Sequence, residues 1–470
     1  MRRGRRFSPG IALDVALVVA VFLASYGLAM DVQATRTYGG VDLRNRVVGA
    51  RLLKGGMDPY YFKWSEAYPD TLLDPMDNPS NEVSRVTVPP TVLLLHMPLA
   101  GVSYRAQRML WLFGQWLLLL ASIFFLARCA DSRGSAKAVW IAGLLLSATP
   151  IWRFHVERGQ VYVLYVFLVA LSFWVYRRGW RHAELGGGII LGLAAGLRPT
   201  LVFMAVPLLV FRKWRASGGL AAGLLVLVLL SGLVSGVSAW TSYARAMRYH
   251  ERDNLGLAQP LGGEHEGEVI EGMDNLRAHK KFPLVNTSAQ WSLKKYLRLE
   301  AFSGDLSLLM GAVVLIMALF TLLYRGRDAS PATLFLVGSL TVLVAEYFLP
   351  AVKPYYVNIM WLLPLELIVL EGGGLAALKR WKAGVGLLLL LAGLYFNLAI
   401  FCYHGDALLA EALVMLGFLW TAACLLQASP RADGMEAAAA LAVGGAAGSA
   451  PLPCVDDRPG DAGEEGGGRA

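Results

Sequence analysis

One short stretch holds the densest polar chemistry of this chain: GGVDLRNRVVGARLLKGGMDPYYF, Gly39–Phe62. Within it Leu43, Val47, Ala50 and Leu53 recur at helical spacing and Gly55-Gly56 ends the pattern, which predicts an amphipathic helix lying on its apolar face. Asp42, Asn45, Arg46 and Gly49 then share the opposite face. A carboxylate at the start of such a helix has two uses. It can take a proton from a substrate hydroxyl as a general base, or it can cap its helix and pair with Arg46 one turn on. Spacing alone leaves both open.

Cations that could face that carboxylate are spread along the chain. Arg198-Pro199 joins two apolar pieces, 186–197 and 199–211. Each is too short to cross ~30 Å of hydrocarbon at about 1.5 Å per residue. A broken helix is tolerated where it lines an enclosed cavity, so Arg198 marks one. Its charge needs an anion there, either a bound phosphate or a neighbouring carboxylate such as Glu157 or Glu346. Arg153, His155 and Arg158 (RFHVERGQ, 153–160) form a second basic group, able to hold a phosphate or to sit among lipid headgroups. Lys353 precedes Tyr355 and Tyr356 in LPAVKPYYV. Asp58 in Asp-Pro-Tyr can start a turn, and Tyr60, Tyr61 and Trp64 can stack on a sugar ring or anchor an interface.

The elements that must position these residues are membrane helices. The 470 residues are 56% hydrophobic and only 16% charged, with 11% aromatic residues, and the mean hydropathy is +0.50. Soluble chains carry roughly a quarter charged residues. Runs such as 220–230, 306–323 and 384–400 reach, with their flanks, the ~20 residues a spanning helix needs. The net charge of +9 sits in short clusters between those runs, as a topology signal does, and not on a face suited to nucleic acid. Cys129, Cys402, Cys424 and Cys454 match neither a zinc site nor a disulfide framework; no metal and no cofactor is implied.

The fold class is therefore an all-α polytopic integral membrane protein. MRRGRRFSPG with Ile11–Met30 reads as an uncleaved first span, its basic end in the cytoplasm. Residues 31–106 form a first outer loop. Its stretch 86–102, broken by Pro89, Pro90 and Pro98, is expected not to cross. Every short basic loop then falls inside, giving about twelve spans and both termini in the cytoplasm. Residues 239–304 form a large outer loop. The tail 428–470, rich in Gly and Ala, is expected to lack a fold, leaving 1–427 as the membrane domain.

The order of several pieces resembles glycosyltransferase family 87, the polyprenyl-phosphomannose-dependent mannosyltransferases of the GT-C superfamily. These are VDLRNRVVGARLLKGGMDPYYF (41–62), VPPTVLLLHMPLAG (88–101) and RGQVYVLYVFLVAL (158–171). They are joined by GGIILGLAAGLRPTLVFMAVPLLVFRKW (187–214), WTSYARAM (240–247) and NTSAQWSLKKYL (286–297). The resemblance implies a GT-C-like bundle with a catalytic first outer loop, and Asp42 as the general base. It implies a polyprenyl-phosphate sugar donor, mannose or arabinose, and a glycan or glycolipid acceptor, on the outer face of a bacterial inner membrane. Arg198, with Arg158, Arg153 and Lys353, would hold the donor phosphate. Arg46, Asp58, Tyr60, His155, Gln160, Asn286, Tyr355 and Tyr356 would make further substrate contacts. One departure stands out: Tyr355 and Tyr356 take the place of a histidine pair frequent in that family. Competing readings are a flippase for a polyprenyl-linked glycan, an O-antigen-ligase-like enzyme, and a non-catalytic protein that kept the fold.

Overall fold

The computed structural model describes residues 9–255, 286–325, 329–371, 381–399 and 404–427. The middle of the expected 239–304 loop, the tail 428–470, Cys402 and Cys454 lie outside the described residues. Among those described there is no strand, only an isolated bridge between Asn286 and Pro354.

Sixteen helices follow in order among the described residues: α1 (Pro9–Thr37), α2 (Val41–Lys54), α3 (Pro90–His96), α4 (Tyr104–Ala127), α5 (Arg133–Ser147), α6 (Pro150–Arg158), α7 (Tyr162–Tyr176) and α8 (Ala183–Leu197). After them come α9 (Ala205–Val210), α10 (Trp214–Asn254), α11 (Ala289–Ser292), α12 (Ser303–Arg325), α13 (Pro331–Phe348), α14 (Leu362–Glu371), α15 (Trp381–Ala399) and α16 (His404–Gln427). Six of these are long and apolar enough to cross a membrane, and α5 with α6 makes a seventh if that bent pair is one span. Further expected spans fall on shorter apolar helices, Tyr162–Tyr176, Ala183–Leu197, Pro199–Val210 and Ala383–Asn397. Large apolar side chains point outward on the long helices, among them Phe22, Leu117, Leu233 and Leu308. Leu233 is 85% exposed. A belt of this kind is stable against lipid and costly against water, and the chain is a multi-pass membrane protein.

Helix α13 has the opposite character, with every residue from Ala332 to Glu346 buried. It runs through the core, where its Phe335 packs against Phe173 and Tyr176. The most extensive helix pair is α8 with α10, and its cause is a glycine seam. A Cβ added at Gly188 or Gly192 would overlap the carbonyl oxygens of Ala216 and Leu220, and one at Gly219 or Gly223 those of Leu185 and Ile189. Small residues four apart on both helices let the backbones touch, the usual way of joining helices where lipid supplies no hydrophobic drive.

Several expectations shift. The first helix runs past Asp31, the expected start of the loop, to Thr37. Asp31 can stay helical and 1% exposed because the indoles of Trp116 and Trp152 donate to its Oδ2 at 3.0 and 2.9 Å. Helix α10 likewise continues beyond residue 239, kinked at Gly236 where φ is 76°. The proline-broken stretch 86–102 folds as the short α3 and a 3-10 turn, too short to span alone. Residues 153–160 are not a solvated loop. Thr149 caps and Pro150 starts α6, bent 59° from α5 and turned into the core.

Gly192→Val would force the α8–α10 backbones apart. Overpacking of this kind costs about 1–3 kcal/mol, so thermal denaturation in detergent should show a lowered midpoint, whereas Gly218→Val, which meets open space, should not.

Candidate active site

Helix α2 is stopped at Gly55, as its sequence predicts. It does not lie on a surface, though. Leu43, Arg44, Asn45, Arg46, Val47 and Leu52 are all buried, and the polar side chains among them carry the packing. Arg44 donates to the carbonyls of Leu73 (2.9 Å) and Asp70 (2.8 Å) and covers the Tyr104 ring. Arg51 donates to Ala100 O (2.9 Å), Thr71 O (2.7 Å) and Val102 O (3.1 Å). Asn45 donates to Asp74 at 3.2 Å. These bonds satisfy loop carbonyls that a buried chain would otherwise leave bare, and they fold residues 70–102 around the helix.

Asp42 stands in the first turn of α2, where the helix dipole favours an anion. Its partner is Arg158 at the end of α6, not Arg46. The Arg158 Nη2 donates to Oδ1 at 2.9 Å and Nε to Oδ2. Two glycines make the approach possible. Gly40 caps α2 and Gly159 caps α6, both left-handed, with φ 63° and 70°, and a Cβ on Gly159 would stand 2.6 Å from that of Leu43. Gln160 adds a second hold, with Nε2 donating to Asp42 Oδ2 while Oε1 accepts from Arg46 Nη2. Arg46 Nη1 is fixed in turn on Gly159 O at 2.8 Å.

A third cation reaches Asp42 that the sequence reading did not select. Arg85 brings Nη2 to 3.7 Å from Asp42 Oδ1 and Nη1 to 3.4 Å from Asp74. No motif surrounds it; only the folding of the 70–102 segment brings it here. Side-chain exposures are 14% for Asp42, 9% for Arg158 and 27% for Arg85. Burial pushes the Asp42 carboxyl up, but Arg158, then Arg85 and Arg46, outweigh it and hold it at about 2. The site is thus an ionised carboxylate, partly open, inside a cationic frame.

Arg158 also lies over the rings of Phe154 and Tyr356. Tyr356 packs against Tyr162, centroids 5.8 Å apart, and Tyr162 lies under Arg198. That row connects Asp42 to the expected break after α8, where Arg198 is extended. The anion beside Arg198 is Glu346, the carboxylate alternative raised by the sequence: Nε donates to Oε1 at 2.7 Å and Nη2 to Oε2, with Thr200 on Oε1.

The other sequence candidates fall outside this cluster. Lys353 is 1% exposed and bound to Glu411 and Asn358, each at 2.6 Å. Asn286 clips a loop, donating to Ala351 O and accepting from Lys353 N. Tyr355 donates to Asn397 O. Asp58 accepts from Tyr60 N, a turn contact, and Tyr60 is fully buried with its hydroxyl on Val88 O. His155 is fully buried, stacked on Trp152, and accepts from Val163 N; Arg153 is half-buried on the same helix. After the Pro150 bend the segment packs tightly, with His155, Glu157 and Arg158 all buried.

Among the described residues no three His, Cys, Asp or Glu side chains group as a metal ion requires. What the site holds is an ionised carboxylate surrounded by arginines. Residues 87–350 match glycosyltransferase family 87, and the chain belongs to that family. The match begins after α2, so the role of Asp42 is argued from geometry. One curated relative is the polyprenol-phosphate-mannose-dependent α-(1-2)-phosphatidylinositol pentamannoside mannosyltransferase of Mycobacterium tuberculosis (strain CDC 1551 / Oshkosh). It is 25% identical over 382 residues, 78% of this chain and 75% of that protein. No solved structure matches.

The depressed Asp42 value fixes a pH signature. With the folded value near 2 and the ordinary one 3.8, the pair stabilises the fold above about pH 4, and the contribution is lost as pH falls towards 2. Acid unfolding followed by tryptophan fluorescence should show that loss in the native chain. Asp42→Asn should be less stable at pH 7 and show a flatter response across that window.

Proposed function

We propose that this chain is an inverting glycosyltransferase that moves a sugar, mannose, from a polyprenyl-phosphate donor to a glycan or glycolipid acceptor. The observation that carries the reading is the ionised, partly open Asp42 held between Arg158, Gln160 and Arg85. The family and the mannosyltransferase relative support the reaction class and the donor.

In this mechanism the acceptor hydroxyl attacks the anomeric carbon as the bond from that carbon to the phosphate oxygen breaks. The hydroxyl proton passes to an Asp42 carboxylate oxygen, and the polyprenyl phosphate departs with the electron pair of the broken bond. One displacement inverts the anomeric configuration, by the geometry that governs inverting glycosidases. A lipid phosphate is already a competent leaving group, so no metal is required to expel a nucleotide diphosphate. Cations of the protein take up the charge that develops on the phosphate. A carboxylate with so low an affinity for protons is a weak base in the resting site. Its proton transfer belongs late, when bond formation has acidified the hydroxyl.

The basic clusters between spans support a site on the outer face of a bacterial inner membrane, with both termini cytoplasmic and a GT-C-like arrangement of about twelve spans. The donor enters sideways from the bilayer, and the acceptor approaches from the aqueous side.

The test is transfer by purified protein in nanodiscs, offered polyprenyl-phosphomannose or polyprenyl-phosphoarabinose with an acceptor lipid extract and EDTA. Transfer from the mannose donor should persist in EDTA. Asp42→Asn should reduce it by a factor of ~100 or more, the scale of a lost general base. Undiminished transfer by that variant would remove Asp42 from the chemistry.

A further inference from the structure

The cations near Asp42 differ in how fully they are already bonded. Arg158 gives Nε and Nη2 to the carboxylate, is backed by two rings and is 9% exposed. Arg46 is committed to Gly159 O and Gln160. Arg198 makes a two-pronged pair with Glu346, and Lys353 is sealed against Glu411 and Asn358. Arg85 is unlike them. Its contacts to Asp42 and Asp74 are 3.7 and 3.4 Å, whereas charge-assisted bonds close to about 2.7–2.9 Å. Its exposure, 27%, is matched by the 26% of Arg198; what sets it apart is the length of its contacts and its place on a loop segment between α2 and α3.

Asp74 explains why Arg85 stays there. That carboxylate is 7% exposed and is itself fixed by Asn45 and by Met76 N. It anchors one edge of the guanidinium and leaves the other near Asp42 and solvent. A cation so placed can turn to an arriving anion without breaking a strong bond. Turning Arg158 or Arg198 would strip a buried carboxylate of its partner.

We propose that Arg85 is the ligand of the donor phosphate, and that Arg158 acts as a positioning residue that holds Asp42. This rests on the glycosyltransferase reading and deepens it. Charge balance gives the step its logic. The donor phosphodiester carries one negative charge and the leaving phosphate monoester gains a second, while Asp42 loses its charge to the acceptor proton. Arg85 lies where the first change pulls it towards the phosphate and the second releases it from Asp42. Its interaction with the phosphate therefore strengthens towards the transition state, the condition for catalysis and not merely binding.

The test uses a short-chain polyprenyl phosphate, the product of the reaction, titrated calorimetrically into the full chain in nanodiscs, with transfer kinetics run in parallel. Arg85→Gln should weaken product binding about 10-fold or more, the scale of one lost hydrogen bond to a charged group. It should lower kcat for transfer more than it raises KM. Arg85→Lys, which keeps the charge, should recover most of the affinity and show that the fold is intact. The double variant Arg198→Gln/Glu346→Gln removes the other open cation without leaving a bare carboxylate, and should bind product as the native chain does. Product binding unchanged in Arg85→Gln, lost in the double variant instead, or absent from the native chain would each overturn the assignment. Binding that depends on Arg85 without transfer from any donor would instead overturn the glycosyltransferase reading and leave the phosphate site standing.

Discussion

The contact between Asp42 and Arg158 is the constraint around which this end of the molecule is arranged. The two residues lie 116 positions apart and are joined by two parallel hydrogen bonds in a site largely closed to water. A charge so placed is costly alone, and removing one member of a buried pair typically costs about 3–5 kcal/mol. The surrounding structure exists to let them meet. Left-handed Gly40 and Gly159 bring the end of α6 against the start of α2, and the bend before Pro150 turns α6 inward. Gln160 fixes the second edge of the carboxylate. Arg44 and Arg51 of α2 bind the loop segment 70–102 that packs around the helix.

The same rule governs the other charges inside the bundle. Arg198 meets Glu346, and Lys353 meets Glu411 with Asn358 bridging. Each of these two cations has a carboxylate of its own, whereas Arg44 and Arg46, equally buried, are held by backbone carbonyls and Gln160. Glu366 breaks the pattern. It is fully buried with neither oxygen hydrogen-bonded, and nothing in the structure explains it.

Elements set by local spacing were legible in the sequence: the stop of α2 at Gly55, the break at Arg198-Pro199, and an all-helical chain with long apolar spans. Asp42 stood out because it opens a helix just beyond the first span. Its partner did not, because spacing can propose only neighbours such as Arg46 one turn away, and Arg158 becomes a neighbour only through the α6 bend. Polarity misled in the same way at α2. Asn45 and Arg46 read as part of an exposed face, yet they are buried because Asp74, the Gly159 carbonyl and Gln160 take the place of water. Arg85 had no local signal at all, and its place depends on the path of an irregular loop. At Asp31 a charged residue read as the end of a helix, while two indoles from remote helices allow the helix to continue.

That last arrangement bears on how the chain is made. Asp31 lies 85 positions ahead of Trp116 and 121 ahead of Trp152, so during N-to-C synthesis it is made well before either partner. Until α4 and α6 arrive, the far end of α1 carries a carboxylate with no donor to meet it, and hydrocarbon is a poor place to leave one. Helix α1 therefore cannot seat fully until α6 has been made. It must wait at the water's edge, or within the insertion machinery, and the two tryptophans draw it home.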